Sequence, residues 1–233
     1  MSRRVTLTVL AILLLTAAGG AFIFHQYTQS RDTLIEAAER HLQQAVSDAI
    51  KEANRVLLAA VSAANQLHAA DLRGLDLQEA ERVFFAIASY PVLSNSQVLS
   101  VYVATTDGSF LQVQHTVPSD LFGMVPMGYD YVLRRVIRRA TDRDSWYYRD
   151  KQTEEWERAR AAHPEYDPRQ EGWYKNAAQQ QGGIWSDPYV LASSGDIGMT
   201  FSMPIVAPNG QLWGIIGVDI AGSFLSEVVR DYR

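Results

Sequence analysis

The chain has 233 residues, 47% of them apolar and 20% charged, with a formal net charge of -5 and no cysteine. That composition is globular and excludes a disordered or low-complexity chain, and the lack of cysteine excludes disulfide scaffolds, zinc ribbons, thiol nucleophiles and iron–sulfur ligation. The acidic balance speaks against nucleic acid, because the arginine-rich stretch from Arg134 to Arg169 is interleaved with acids and forms no basic stripe to neutralise phosphates.

Composition changes along the chain. Up to Gly74 there is no proline and the only aromatics are Phe22, Phe24 and Tyr27, whereas all five tryptophans lie between Trp146 and Trp213. A helical portion therefore precedes a mixed, turn-rich domain. After Met1-Ser-Arg-Arg, the residues from Val5 to Phe24 carry no charge, the length one helix needs to span a bilayer core. The expectation is a cytoplasmic tip at residues 1–4 and a single transmembrane helix at 5–25. Arg3 and Arg4 stay inside, and everything after His25 is periplasmic or extracellular. A cleavable signal peptide is the alternative, given the small residues from Ala17 to Ala21. Either reading puts the rest of the chain outside the cytoplasm.

From Arg31 to Arg73 apolar residues recur every three or four positions (Leu34, Ala38, Leu42, Ala45/Val46, Ala49, Ala53, Val56/Leu57, Ala60, Ala64, Leu67), which predicts one long amphipathic helix within a stalk at 26–74. At 1.5 Å per residue it runs about 60 Å, too long for one small domain to bury throughout. Its alanine-rich seam suits a parallel homodimer along one part and packing on its own domain along another.

Beyond Gly74, Asp76 can N-cap a helix from Leu77 to about Ser89, ended by Pro91. Val98–Thr105 and Ser109–Thr116 flank Asp107-Gly108 as a hairpin. The segments 132–140 and 145–149 read as a strand pair, although RRVIRRA is equally compatible with a short helix. Met199–Val206 and Gln211–Ile220 flank Pro208-Asn-Gly as a second hairpin, apolar on both faces until Asp219. The fold class is α+β: an antiparallel sheet flanked by helices.

Familiar chemistry is missing from the pattern. The histidines at 25, 41, 68, 115 and 163 form no i, i+4 pair, so a metal site is not expected. GxSxG, GxxxxGK[ST] and GxGxxG do not occur. No catalytic residue, metal or cofactor is expected, and the chain reads as a non-enzyme. What stands out is an aromatic and charged run, YDPRQEGWY at 166–174, followed by Tyr189 in WSDPY and by Asp219 at the end of an apolar strand.

The series YDPRQEGWYKNA, IWSDPY and MTFSMPIVAPNGQLWGIIGVDI resembles the Cache family of extracytoplasmic PAS-like sensor domains, specifically the membrane-distal module of double-Cache bacterial receptors, over roughly residues 30–230. The resemblance implies a sensor domain at 75–221 with a small-molecule pocket floored by the sheet, and a connecting helix at 222–233. In the bacterial inner membrane the chain is then expected to be either the front portion of a longer receptor or a stand-alone anchored sensor that recruits a partner. The amino-acid-binding branch reads YxxxxRxWY, a later Tyr, and a terminal Asp. Tyr166, Trp173, Tyr174, Tyr189 and Asp219 match, Asp219 being the ammonium-binding position, but the carboxylate-clamping arginine is replaced by Glu171.

With Glu171 and Asp219 beneath aromatic faces and no evident cation, the pocket is expected to prefer a small amine, or an amino-acid-like ligand, over an anion. Other readings stay open. Trp173 and Tyr174 can be packing anchors, Tyr189 a core residue, Asp219 a cap for a helix from Gly222, and Glu171 a solvated helix-start acid. Asp167-Pro168-Arg169 reads as a structural turn. As a whole the chain can instead be a ligand-free dimerisation or partner-binding scaffold. A carboxylate-based hydrolase is the remote case.

Overall fold

The computed structural model describes residues 3–115, 129–136, 144–150, 156–159, 166–191 and 194–223. The chain divides into two units, residues 1–50 and the part from Lys51 onward. Helix α1 (Arg3–Ala69) runs through the first and into the second. In the first unit its apolar side chains from Ile12 to Phe24 are exposed on every side, Leu15 to 72% and Phe24 to 69%. Among the described residues no helix is long and apolar enough to cross a membrane. The side chains of residues 3–11, where the expected span begins, lie outside those described. Leu34, Leu42 and Val46 on the expected seam are exposed as well.

In the second unit α1 behaves differently. Val56, Ala60, Ala63, Ala64 and Leu67 are buried as one stripe, the i, i+4, i+7 pattern of a helix laid against a core. Helix α2 (Leu77–Ser94) starts where Asp76 accepts the Glu79 backbone N–H at 2.9 Å. It does not stop at Pro91, as the sequence suggested, but continues to Ser94. A proline in the last turn forfeits one helical hydrogen bond, and the complete burial of Val92 one residue on keeps the turn in place.

The strands are β1 (Val98–Thr105), β2 (Phe110–His115), β3 (Tyr129–Val136), β4 (Asp144–Asp150), β5 (Trp156–Ala159), β6 (Ile184–Trp185), β7 (Tyr189–Val190), β8 (Ile197–Val206) and β9 (Leu212–Ala221). They pair antiparallel in the order β5-β4-β3-β2-β1-β9-β8-β6, with β7 also on β8. Gly108, at φ 84°, supplies the left-handed residue the β1–β2 turn requires. RRVIRRA, open between strand and helix in the sequence, is strand as far as Val136. Helix α3 (Gly172–Ala177) follows a 3-10 turn at Pro168–Gln170. The expected connecting helix at 222–233 lies almost entirely outside the described residues.

Strand alternation gives the sheet two unlike faces. One carries Val101, Val103, Leu111, Val113, Phe201, Ile205, Ile216 and Val218, packed with the α1 stripe and with Phe84, Ala88 and Val92 of α2. Two irregularities tune it: a register shift between Val98 and Ser100 leaves Val98 in that core while Ser100 joins the other face, and one near Val206 accompanies Trp213 packing there too. The mixed α+β class is as expected.

Candidate functional site

The second face is polar where it is most buried. Cross-strand register lays out two neighbouring rows. Thr200, Asp219, Ser100 and Gln114 form one, across β8, β9, β1 and β2; Ser202, Gly217, Tyr102, Gln112 and Arg134 form the next, reaching β3. Each of these except Gly217 is a polar side chain less than a tenth exposed. Such a floor is costly unless its groups are satisfied by one another or by something bound.

Asp219, 4% exposed, is satisfied by hydroxyls. Its Oδ2 accepts from Ser100 Oγ, and its Oδ1 from Tyr102 OH and Thr200 Oγ1, all at 2.7 Å. Thr200 spends its one proton on the carboxylate, so the 2.6 Å contact between Tyr189 OH and Thr200 Oγ1 is donated by Tyr189. Charge-assisted hydrogen bonds of this kind hold a carboxylate ionised inside the fold. Gly217 makes the arrangement possible: a Cβ there would fall 1.9 Å from the Tyr102 ring, which crosses the glycine to reach Asp219. Asp219 is thus a hub on this polar face, and its described side-chain bonds run to β1 and β8.

Three phenols gather around it. Burial, and then the Asp219 charge, push Tyr102 and Tyr189 above the usual phenol range. Tyr166 is raised by burial and by Glu171, with Arg134 opposing. They remain protonated donors under physiological conditions. Glu171 precedes α3 without capping it and is half-buried. Burial raises its carboxyl above the ordinary value, Lys175 and Arg134 pull it down, and Asp219 pushes it up. Tyr166, Glu171, Tyr189 and Asp219 therefore share one electrostatic neighbourhood, as the sequence suggested.

Trp173 and Tyr174 divide. The Trp173 ring lies 4.7 Å from that of Tyr102 and covers the polar network. Tyr174 is buried beside Trp173 at 5.7 Å, but its phenol is raised by burial and feels Arg169, Asp167 and Asp107 rather than Asp219. Asp167 accepts the Arg169 N–H at 3.0 Å and pairs with its guanidinium at 2.7 and 2.9 Å, and Arg169 reaches Thr106 O at 3.2 Å. The structural turn read from the sequence is present, and Tyr174 belongs with it.

One expectation needs correction. The site was expected to lack a cation of its own, yet Arg134 lies on the same face, 7% exposed, with its guanidinium 4.1 Å from the Tyr166 ring centroid and 5.9 Å from that of Phe110. The reason is strand parity: pairing of β3 with β2 places Arg134 opposite Gln112 and sends Arg135 to the helix face, where it meets Glu81 at 3.0 Å. Sequence reasoning also missed Ser100, Tyr102, Thr200, Gln114 and Ser202. Their signal was polar residues at alternate positions inside otherwise apolar strands, VLSVYVAT and MTFSMP. Among the described residues no group of acids and histidines could hold a metal ion.

Comparison with known proteins agrees with this architecture. The family model of the methyl-accepting chemotaxis protein-like, first PDC sensor domain matches residues 76–227. The methyl-accepting chemotaxis protein PscA of Pseudomonas syringae pv. tomato is 43% identical over 66 residues, 28% of this chain and 10% of that protein. Among solved structures, the ligand-binding domain of Campylobacter jejuni chemoreceptor Tlp3 in complex with L-valine is 17% identical at a TM-score of 0.50, covering 84% of this chain and 65% of that one. That of Pseudomonas aeruginosa amino acid chemoreceptor PctC in complex with GABA is 20% identical at 0.48, covering 82% and 67%. The chain therefore spans about a tenth of the curated relative and about two thirds of the first of these domains.

Proposed function

This chain belongs to the family of methyl-accepting chemotaxis protein-like first PDC sensor domains, and on that premise we propose that its polar sheet face receives a small molecule carrying a protonated amine. The observation that carries this reading is Asp219: a carboxylate 4% exposed and held by three hydroxyls, of which Tyr102 packs against Trp173 and Thr200 bonds Tyr189. An ammonium brings N–H donors to the carboxylate and a positive charge to the aromatic faces. Tyr166 and Glu171 close the site from the segment leading into α3. Amino-acid-like ligands fit as well as simple amines, because Arg134 supplies a cation within the same face. L-valine, the ligand in the Tlp3 domain, carries an amine and a carboxylate.

The same reading places the domain outside the cytoplasm of a bacterium, anchored in the inner membrane by Val5–Phe24, with all-round exposure of the apolar side chains from Ile12 to Phe24 as support. The exposed seam from Leu34 to Val46 would pair with a second copy in a homodimer, and ligand binding would shift that pairing to signal across the membrane. The boundaries then are an anchor at 5–25, a stalk from 26 and a sensor domain ending near 221.

Calorimetric titration of the full chain with amines, amino acids and organic acids tests the central claim. Saturable heat with amine-bearing compounds and none with organic acids is expected. Asp219→Ala should weaken binding by about 2–4 kcal/mol, since it removes a buried charge partner. Silence toward every class would leave a ligand-free scaffold, and unchanged affinity in Asp219→Ala would remove the site from this face.

A further inference from the structure

The two charged residues of the floor are far apart, and that spacing bears on what the site binds. Asp219 is on β9 and Arg134 on β3, with β1 and β2 between them. At about 4.8 Å per strand step their backbones are about 14 Å apart across the sheet. The Arg134 guanidinium lies over Tyr166, 4.1 Å from its ring centroid, and 5.9 Å from that of Phe110, which pairs with Ala104 and Val136 one row further from Asp219. At the position just before α3 where the family resemblance calls for an arginine, this chain carries Glu171.

Between the two charges the floor carries unfilled hydrogen-bonding capacity. Gln114, 4% exposed, lies next to Ser100 in the Asp219 row, and its Oε1 has no hydrogen-bond partner. Ser202 Oγ, in a residue 2% exposed, has none either, but it stands on β8, beyond Asp219 and outside that gap. A buried amide oxygen left unpaired is destabilising, and it persists where a bound group or an ordered water completes it.

We propose that Arg134 holds the anionic end of the ligand, so that the sensor selects elongated zwitterions whose carboxylate and ammonium are borne on different carbons. The inference rests on the assignment of the ammonium to Asp219. An α-amino acid carries both groups on one carbon and cannot engage Asp219 and a guanidinium held over Tyr166 with its main functional groups alone. An ω-amino acid, or an α-amino acid with an acidic side chain, spans the gap and passes over Gln114. A guanidinium has five N–H donors and matches a carboxylate with two parallel bonds even while stacked on a ring.

The test is a set of matched titrations of the full chain: 4-aminobutanoate against butylamine, 5-aminopentanoate against pentylamine, and glutamate against glutamine. In at least one pair the compound with the distant carboxylate should bind about tenfold or more tightly, the scale of one charge-assisted contact. Arg134→Gln should erase that ratio, and Arg134→Lys should restore part of it. The wild-type ratios need no variant to fold. If every pair binds with equal affinity, or alanine binds more tightly than all of them, the assignment of Arg134 is overturned while Asp219 stands. If no amine-bearing compound binds at all, the Asp219 assignment itself is overturned.

Discussion

The two faces of one sheet are built from the same strands and obey opposite rules. The core of the helix side is aliphatic and aromatic, with α1 and α2 closing over it and the Arg135–Glu81 pair on the same side. On the other side the same strands turn inward a carboxylate, a guanidinium, two amides and four hydroxyls, most of them nearly as buried as the valines behind them. Apolar burial contributes about 25 cal/mol per Å2 without regard to direction, whereas a buried polar group must meet a partner at a set distance. The helix face can therefore supply the stability that lets the other face keep groups a folding core would not choose.

The largest effect should come from breaking the apolar face. Phe84 of α2 is completely buried against the strands, and Phe84→Ala should cost about 3–5 kcal/mol of unfolding free energy. Chemical denaturation reads that loss, while titration of the folded protein should show ligand affinity within about twofold of wild type. A large affinity loss at full folding would mean that the two faces are not independent.

A substitution at the boundary sharpens the contrast. Gly217→Ala puts a methyl group where the Tyr102 ring crosses β9, so the ring must move and the Asp219 bond must lengthen. A stability loss of about 1–3 kcal/mol, accompanied by weaker amine binding, is expected. Loss of stability alone would show that Tyr102 packs the site without shaping it.

The smallest effect concerns pH. Burial raises the Glu171 carboxyl above its ordinary value, so folding takes up a proton there. Its stabilising share is present below the unfolded value and is lost as pH rises through the folded one. A cationic ligand prefers the ionised form, so affinity should climb with pH across that window. Glu171→Gln should flatten the climb and weaken amine binding by about threefold at neutral pH, in keeping with a half-exposed charge. An equally steep climb in the variant would assign the titration to another group.

Much of this protein was legible before any fold was known. The 3–4 spacing from Leu34 to Leu67 specifies a long helix because only a helical period puts those residues on one side. Asp76 caps α2 because a short acceptor before an apolar run satisfies an otherwise orphaned N–H. Asp107-Gly108 turns β1 into β2 because the turn needs a left-handed residue. Asp219 stood out because an acid ending an apolar strand requires partners. Pro91 misled, since local propensity alone does not register that Val92 is held by the core.

What only the tertiary structure decided is which residues meet. Arg134 and Arg135 are adjacent in sequence and equivalent in type; pairing of β3 with β2 sends one to the polar floor and the other to Glu81. Trp173 and Tyr174 part in the same way, one over Tyr102 and one toward Arg169. The three hydroxyls on Asp219 come from β1 and β8, as far as 119 residues from it in the chain. Composition and period are local properties that a sequence carries outright. Register across a sheet is a long-range choice made by the whole hydrophobic core, and in this protein it sets both the sign and the spacing of the charges in the site.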